Sequence, residues 1–133
     1  MTVTFADTFY FLALLNPDDA GHARASDFAV QYRGTILTTG WVLTEVADAM
    51  AHPANRQLVV DFLANLRAAA RTTIVPLSDE LAAEGLRLFA DRSDEHWSLT
   101  DCISFVVMQR EKITDALTGD HHFEQAGFRA LLA

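Results

Sequence analysis

The chain has 133 residues, of which 50% are hydrophobic and 21% are charged, so it suits one domain and is too short for two independent cores. This apolar content, with only 6 glycines and 3 prolines, excludes a disordered, collagenous or low-complexity protein. Lys and Arg number 10 against 18 Asp and Glu, a net charge of −8, so the chain as a whole should repel nucleic acid.

The first half of the chain alternates short apolar segments with helical patterns. Residues 3–6 form an apolar run typical of a buried strand, and a polar turn separates it from an apolar helix over 9–15. A second helix is predicted from residue 22 to about 32, after a helix-breaking segment. The next strand is expected at 34–37 and the next helix at 41–50.

The second half continues this alternation. Residues 55–70 repeat apolar side chains with the period of an α-helix, and the β-branched run at 72–75 indicates a third strand. Two further helices are expected at 78–89 and 98–110, and two strands at 113–117 and 129–132. A short helical turn at 123–126 is expected between those strands. Short apolar strands that alternate with helices predict an α/β fold, a three-layer α/β/α sandwich with a mainly parallel sheet of about five strands, in one domain over residues 1–133.

Three features bear on the compartment. The lone cysteine, Cys102, excludes a disulfide framework and a cysteine-based zinc site, and it is compatible with a reducing cytosol. No apolar run approaches the ~18 residues that span a bilayer, and the first residues lack the basic and apolar regions of a signal peptide. We therefore expect a soluble cytoplasmic protein with no membrane contact.

Two carboxylates follow predicted strands. Asp7 comes directly after the first strand, and Asp120 follows the fourth through Thr118 and Gly119. Because the carboxyl ends of parallel strands meet at one edge of the sheet, both should lie where ligands bind. Each has an ordinary alternative: Asp7 as the cap of the next helix, and Asp120 as a turn residue.

Two more carboxylates lie within predicted helices. A helical wheel at ~100° per residue places Glu45 beside the apolar stripe of its helix, whereas Asp48 faces solvent. The same wheel places Asp101 on an apolar face. A lone buried carboxylate is costly unless it is paired, hydrogen-bonded or bound to a cation. The alternatives are a capping box with Ser98 for Asp101, and an ion pair with an arginine for Glu45.

Together the four acids, Asp7, Glu45, Asp101 and Asp120, indicate a site for a divalent cation. Carboxylates that share a cleft repel one another, and hard cations such as Mg²⁺ or Mn²⁺ relieve this repulsion through oxygen ligands. Such a site polarises a phosphoryl oxygen and activates water near neutral pH. Thr8 and Thr118 offer hydroxyls that can orient a carboxylate or a water. Phosphodiester hydrolysis is the chemistry that this set favours.

The segments that carry these acids resemble the PIN domains, and within them the VapC-type toxin ribonucleases of bacterial toxin–antitoxin pairs. The matching segments are FADT at 5–8, WVLTEV at 41–46, WSLTDCISF at 97–105 and ALTGDHHF at 116–123, so the resemblance covers essentially the whole chain. It implies that the four acids are the acidic quartet that binds Mg²⁺ or Mn²⁺ and activates water against RNA. Thr118 matches the hydroxyl residue that often precedes the last acid. Asp94 falls where some members carry an additional acid, but its place before a helix favours a solvated loop residue or a cap.

The resemblance also implies what the protein acts on and assembles with. It implies a metal-dependent endoribonuclease that leaves 5′-phosphate and 3′-hydroxyl ends, a homodimer, and a small antitoxin protein that blocks the site. Because the net charge stays negative even when the four acids are neutralised, RNA binding requires a local cluster of basic side chains. The candidates are Arg24, Arg33, Arg92, Arg110 and Lys112.

Several other residues have ordinary interpretations. A solvated or hydrogen-bonded loop role is expected for His122, while His121 has the better claim to substrate contact, and Cys102 should be a packed thiol. Surface positions are expected for His22, His52 and His96. Core positions, rather than a surface that stacks on bases, are expected for Phe9, Phe11, Phe62, Phe105 and Phe123.

Two other functions are compatible with an acidic edge of a parallel sheet. A receiver-like phosphoacceptor module usually has two adjacent acids after its first strand and an acceptor aspartate after its middle strand. Here Asp7 stands alone, and Asp79 lies beyond Pro76 and Ser78. An inactive PIN-like platform for a partner is the other alternative, and the presence of all four acids argues against it.

Overall fold

A computed structural model describes residues 2–133 of the chain. The strands in this range are β1 (Val3–Ala6), β2 (Thr35–Thr39), β3 (Thr72–Val75), β4 (Asp115–Leu117) and β5 (Arg129–Ala130). The α-helices are α1 (Thr8–Leu15), α2 (His22–Gln31), α3 (Gly40–Ala49), α4 (Arg56–Ala68), α5 (Asp79–Asp91), α6 (Leu99–Arg110) and α7 (His121–Gln125), and a 3₁₀ turn at Pro53–Asn55 precedes α4. None of the helices in residues 2–133 has the length and apolar content that a membrane crossing needs.

The strands form one parallel sheet in the order β3-β2-β1-β4-β5, which confirms the predicted sheet. In the centre, Phe5 of β1 lies opposite Leu37 of β2 on one side and Ala116 of β4 on the other. The carboxyl ends of these three strands therefore lie at the same edge. A receiver-like domain has the order β2-β1-β3-β4-β5, so the receiver-like alternative is wrong.

The helices cover the sheet in two layers. The chain moves outward from β1 through β2 to β3 and then returns past β1 to β4. Because such connections are right-handed, α1 to α4 lie on one face and α5 and α6 on the other, which gives the predicted three layers. Aromatic packing follows this division: Phe11 packs on Phe62 at 5.8 Å between ring centres, and Phe105 packs on Phe123 at 4.9 Å.

The structure corrects three predicted strand boundaries. Strand β2 covers Thr35–Thr39 rather than 34–37, because Thr38 and Thr39 are buried and continue the pairing with β3. Strand β4 begins at Asp115 rather than at 113, since the amide of Ile113 instead bonds to Met108 O (2.8 Å) at the end of α6. The last strand has two residues rather than four.

Helices α5 and α6 pack closely because α5 has no side chain at its central contact. Gly85 is buried, and a Cβ built on it would collide with Ile103 Cγ1 and lie 3.3 Å from Ile103 Cα. This contact fixes α6, whose first turn carries Asp101. The packing of α6 against α5 therefore also positions one of the four acids.

We predict that Gly85→Ala destabilises the protein by up to about 2 kcal/mol, because overpacking a core costs about 1–3 kcal/mol and helix propensity returns only about 1 kcal/mol of this. Urea unfolding of the variant and the parent chain measures the difference. A variant more stable than the parent would mean that helix propensity dominates and that α6 moves freely.

Candidate active site

The structure brings the four acids together in one cleft of about 490 Å³. The cleft lies at the carboxyl edge of the sheet, because Asp7 follows β1 and Asp120 follows β4 closely. Helices α3 and α6 supply Glu45 and Asp101. The other residues that line the cleft are Thr8, Phe9, His96, Ser98 and His122.

Asp7 is the most buried of the four acids, with 5% of its surface exposed. The pKa of Asp7 is raised from the ordinary value of 3.8 to about 7, mainly by burial and in part by the negative charges of Asp101 and Glu45. A hydrogen bond of 2.9 Å from Thr118 Oγ1 to Asp7 Oδ2 acts in the opposite direction. The residue occupies the N-cap position of α1 without a side-chain capping bond, so capping does not explain its burial.

Asp101 is buried and forms a capping box at the start of α6, the alternative that the sequence also allowed. Its Oδ2 accepts the amide of Ser98 (3.2 Å), and its own amide donates to Ser98 Oγ (3.0 Å). The same Oδ2 lies 3.1 Å from Nδ1 of His122. One carboxylate oxygen thus caps the helix, and capping leaves the other free for the cleft.

Glu45 and Asp120 are each held by one hydrogen bond, to a residue of another helix for Glu45 and to the next turn of the chain for Asp120. Thr8 Oγ1 donates to Glu45 Oε1 (2.6 Å), and the amide of His122 donates to Asp120 Oδ1 (2.9 Å). Asp120 therefore caps α7, while Glu45 is half-buried and Asp48 is exposed on the same helix, as the wheel predicts. Neither acid forms an ion pair with an arginine among residues 2–133.

The carboxylates that line the cleft offer the ligand chemistry that a hard divalent cation takes. Within residues 2–133, the hydrogen bonds of Glu45, Asp101 and Asp120 use one oxygen of each carboxylate, and their second oxygens have no partner. The raised pKa of Asp7 reflects burial and repulsion from its acidic neighbours, which a cation relieves. Oxygen-rich sites of this kind suit Mg²⁺ or Mn²⁺ better than softer metals.

Thr118 couples two of the acids. Its hydroxyl donates to Asp7 Oδ2 (2.9 Å) and accepts the amide of Asp120 (3.0 Å), and its side chain is fully buried. Thr8 holds Glu45 in the same way. Both threonines therefore orient carboxylates, one of the two roles that the sequence allowed for them.

We predict that Thr118→Val destabilises the protein by about 1–3 kcal/mol, because the substitution removes both hydrogen bonds and leaves the half-buried amide of Asp120 unpaired. Loss of the hydroxyl should also raise the pKa of Asp7 further. Urea unfolding and NMR titration of the Asp7 carboxyl measure the two effects. Thr44→Val is the matched control, since Thr44 is exposed and its hydroxyl bonds only Gly40 O within α3; equal effects of the two substitutions would contradict the coupling.

His122 is a site residue that the sequence reasoning missed. It lies in α7 rather than in a loop, its side chain is 20% exposed, and its Nδ1 lies 3.1 Å from Asp101 Oδ2 and 3.5 Å from Asp120 Oδ1. His121 is 71% exposed and lies 3.6 Å from Asp120 Oδ1. Helix α7 begins at residue 121, two residues before the predicted start at 123. This earlier start turns the side chain of His122, rather than that of His121, toward the acids. His96 is exposed, as predicted, but it also lines the cleft.

Phe9 is the other correction. The sequence places it in the core, yet it is 37% exposed and lines the cleft beside the acids. Phe11, Phe105 and Phe123 are buried as predicted, and Phe62 is half-buried against the core. Helix α1 is apolar on all sides, so its sequence pattern did not distinguish the side chain at the cleft from those in the core.

The predicted basic residues lie away from the cleft. Arg24 donates to the carbonyls of residues 131–133, and Arg33 donates to Val30 O. Arg92 pairs with Asp94 and Glu95, and Arg110 pairs with Glu80 and Glu84. No arginine or lysine of residues 2–133 lines the cleft. Asp94, bound to Arg92 and exposed, also stands outside it.

Comparisons with known proteins match nearly the whole chain. The family model described as "PIN domain" matches residues 4–129. The 23S rRNA-specific endonuclease VapC20 of Mycobacterium tuberculosis, from two strains, is 25% identical over 124 residues, which cover 93% of this chain and 94% of VapC20. The crystal structure of VapC20, described as a Sarcin-Ricin loop cleaving toxin, superposes with a TM-score of 0.85 at 24% identity over 96% of each chain. The similarity therefore concerns the entire fold and not one motif.

Proposed function

Because the chain belongs to the PIN domain family, we propose that it is a metal-dependent endoribonuclease and the toxin of a toxin–antitoxin pair. The observation that carries this proposal is the convergence of the four acids in one cleft at the carboxyl edge of the sheet. The relative VapC20 supports it, since its name describes an endonuclease of ribosomal RNA. Ribosomal RNA is therefore the first substrate to test.

In this proposal the four acids would hold Mg²⁺ or Mn²⁺. When bound, the cation would supply charge stabilisation for a phosphodiester and would lower the pKa of a water. Thr8 and Thr118 keep Glu45 and Asp7 in place, and the capping box keeps Asp101 in place. Asp7 has to lose its proton before it binds a cation, because its pKa lies at about 7.

We also propose two partners and a compartment. Membership of the family supports a homodimer and a small antitoxin protein that covers the cleft. An RNA substrate and a single buried thiol support a cytoplasmic location. Sedimentation velocity of the purified chain tests the dimer, and a neighbouring reading frame for a small basic protein is the observation that supports the antitoxin.

The experiment that tests the function is incubation of ribosomal RNA with the purified chain and Mn²⁺. We expect discrete fragments with 5′-phosphate and 3′-hydroxyl ends, and no cleavage in the presence of EDTA. Cleavage that persists in EDTA would contradict the role of the metal. No cleavage of ribosomal, transfer or messenger RNA would instead favour the inactive platform, in which the same fold only holds a partner.

Binding of Mn²⁺ should be pH-dependent. With a pKa of about 7, the carboxyl of Asp7 is mostly protonated at pH 6 and mostly ionised at pH 8. Because the cation has to displace this proton at pH 6, we expect Mn²⁺ to bind about tenfold more weakly at pH 6 than at pH 8. Isothermal titration calorimetry with Mn²⁺ at the two pH values measures this ratio. The Asp7→Asn variant should not bind Mn²⁺ at either pH, and binding that survives unchanged in this variant would place the cation elsewhere.

A further inference from the structure

Three metal-binding side chains lie together at the edge of the cleft, where the chain passes from β4 into α7: Asp120, His121 and His122. One oxygen of the carboxylate and one ring nitrogen of each histidine all lie within 4.8 Å of one another. Neighbouring side chains on a helix diverge by ~100°, yet the ring centres of the two histidines are only 4.6 Å apart. We call this group the His–His–Asp cluster, and it shares Asp120 with the four acids.

The spacing within the cluster matches the ligands of a tetrahedral metal ion. Asp120 Oδ1 lies 3.6 Å from Nδ1 of His121 and 3.5 Å from Nδ1 of His122. Ligand bonds of about 2.0–2.2 Å at the tetrahedral angle place neighbouring ligand atoms about 3.3–3.6 Å apart. The octahedral geometry of Mg²⁺ places them only about 2.9 Å apart. The cluster is therefore spaced for a tetrahedral ion.

The ligand atoms of the cluster are available to an ion from solvent. His121 is exposed, and within residues 2–133 neither of its ring nitrogens has a hydrogen-bond partner. Nδ1 of His122 lies 3.1 Å from Asp101 Oδ2, so an ion bound there replaces one hydrogen bond, and the proton of the neutral ring moves to Nε2. The carboxylate of Asp101 then adds a negative charge close to the ion.

The cluster offers ligands to a different class of metal from the four acids. Imidazole nitrogens suit Zn²⁺ and its neighbours in the first transition row, whereas Mg²⁺ and Mn²⁺ prefer carboxylate, carbonyl and water oxygens. Two histidines and one carboxylate are also a ligand set of zinc sites that keep a fourth position open.

We propose that the His–His–Asp cluster binds Zn²⁺, in a tetrahedral site that the four acids by themselves do not form. Asp120 supplies the negative charge, the two histidines supply neutral nitrogen ligands, and a water takes the fourth position. This inference goes beyond the proposed function, because it concerns another class of metal ion and does not require the cleavage of RNA.

The test is isothermal titration calorimetry with Zn²⁺ on the full chain without a polyhistidine tag. The Asp7→Asn variant is the reference, because its four-acid site should be disabled and Zn²⁺ binding then reports the cluster alone. Adding His121→Ala should weaken Zn²⁺ binding at least about 100-fold, since even the loss of an outer partner of a metal ligand costs about 10–100-fold. Adding His96→Ala is the matched control and should leave the affinity unchanged, because His96 is exposed and lines the cleft outside the cluster.

Visible absorption of the Asp7→Asn variant loaded with Co²⁺ measures the geometry of the site. A tetrahedral Co²⁺ ion absorbs much more strongly than an octahedral one, so we expect strong absorption that disappears when His121→Ala is added. The absence of Zn²⁺ binding to Asp7→Asn, equal Zn²⁺ affinity with and without His121→Ala, or the weak absorption of octahedral Co²⁺ overturns the inference. RNA cleavage by the parent chain in Mn²⁺ decides the proposed function separately, whatever the result with Zn²⁺.

Discussion

The variants Asp7→Asn and Asp101→Asn are expected to cleave RNA at least about 1000-fold more slowly than the parent chain while they remain folded. A bound cation supplies several kcal/mol of charge stabilisation, and each 1.36 kcal/mol corresponds to about a factor of ten in rate. Both carboxylates line the cleft, and each holds its position through one oxygen that an amide oxygen can replace. The loss should therefore come from the missing negative charge and not from misfolding.

The measurement is the initial rate of ribosomal RNA cleavage in Mn²⁺, with circular dichroism and thermal unfolding as checks of the fold. Asp48→Asn is the matched control, because Asp48 lies on α3 three residues after Glu45 but is exposed and outside the cleft. It should cleave as the parent chain does. Retained metal-dependent cleavage in both Asp7→Asn and Asp101→Asn would contradict the assignment of the four acids.

The metal-free Asp7→Asn protein is expected to be more stable than the parent at pH 8, by up to about 4 kcal/mol. The pKa of Asp7 is about 7 in the folded chain, against 3.8 for an ordinary aspartate. Between these values the folded state binds one proton more than the unfolded state, so the free energy of unfolding falls as the pH rises. The loss is complete above pH 7, and it corresponds to about 4 kcal/mol because each pKa unit corresponds to 1.36 kcal/mol. An asparagine has no proton to lose at this position.

Urea unfolding in EDTA from pH 4 to pH 8 measures this difference. The two proteins should have nearly equal stability at pH 4, where Asp7 is protonated in the folded chain, and they should diverge as the pH rises. Mn²⁺ at 100 times its dissociation constant should then stabilise the parent at pH 8 by about 2.7 kcal/mol and leave the variant unchanged. A constant difference between the proteins at every pH would show that Asp7 is not the group that titrates.

These two predictions concern the same property of the cleft. Its negative charges oppose folding when no cation is present, and in the proposed function they are the ligands of a bound cation. The metal-free protein would be more stable with these carboxylates apart, whereas the proposed chemistry needs them together. The buried hydroxyl of Thr118 and the capping box of Asp101 reduce the cost of keeping them close.

Much of the site was predictable because its position follows from the order of the elements. A carboxylate directly after a strand, as at Asp7, has to lie at the carboxyl edge of a parallel sheet, and the helical period fixes the side of α3 that carries Glu45. Local chemistry was also predictable: the spacing of Ser98 and Asp101 indicates a capping box, and the structure contains one.

The positions of His122 and Phe9 depended on contacts between distant segments. The ring of His122 meets Asp101 only because the first turn of α7 packs near the first turn of α6, 21 residues earlier in the chain. Phe9 is exposed because its ring lies against Gly119 at the other strand end and not in the core. Neither contact leaves a periodic pattern in the sequence, since each joins residues that are far apart along the chain.

The amino-acid sequence by itself determined the alternation of strands and helices, the four acids and the family that they resemble. These features depend on hydrophobic period and on residue type, which the sequence states directly. Only the tertiary structure decided that the arginines bind carbonyls and carboxylates away from the cleft, and that Phe9 and His122 line it. A side chain's burial and partners are set by the packing of elements against one another, and that packing depends on the whole fold.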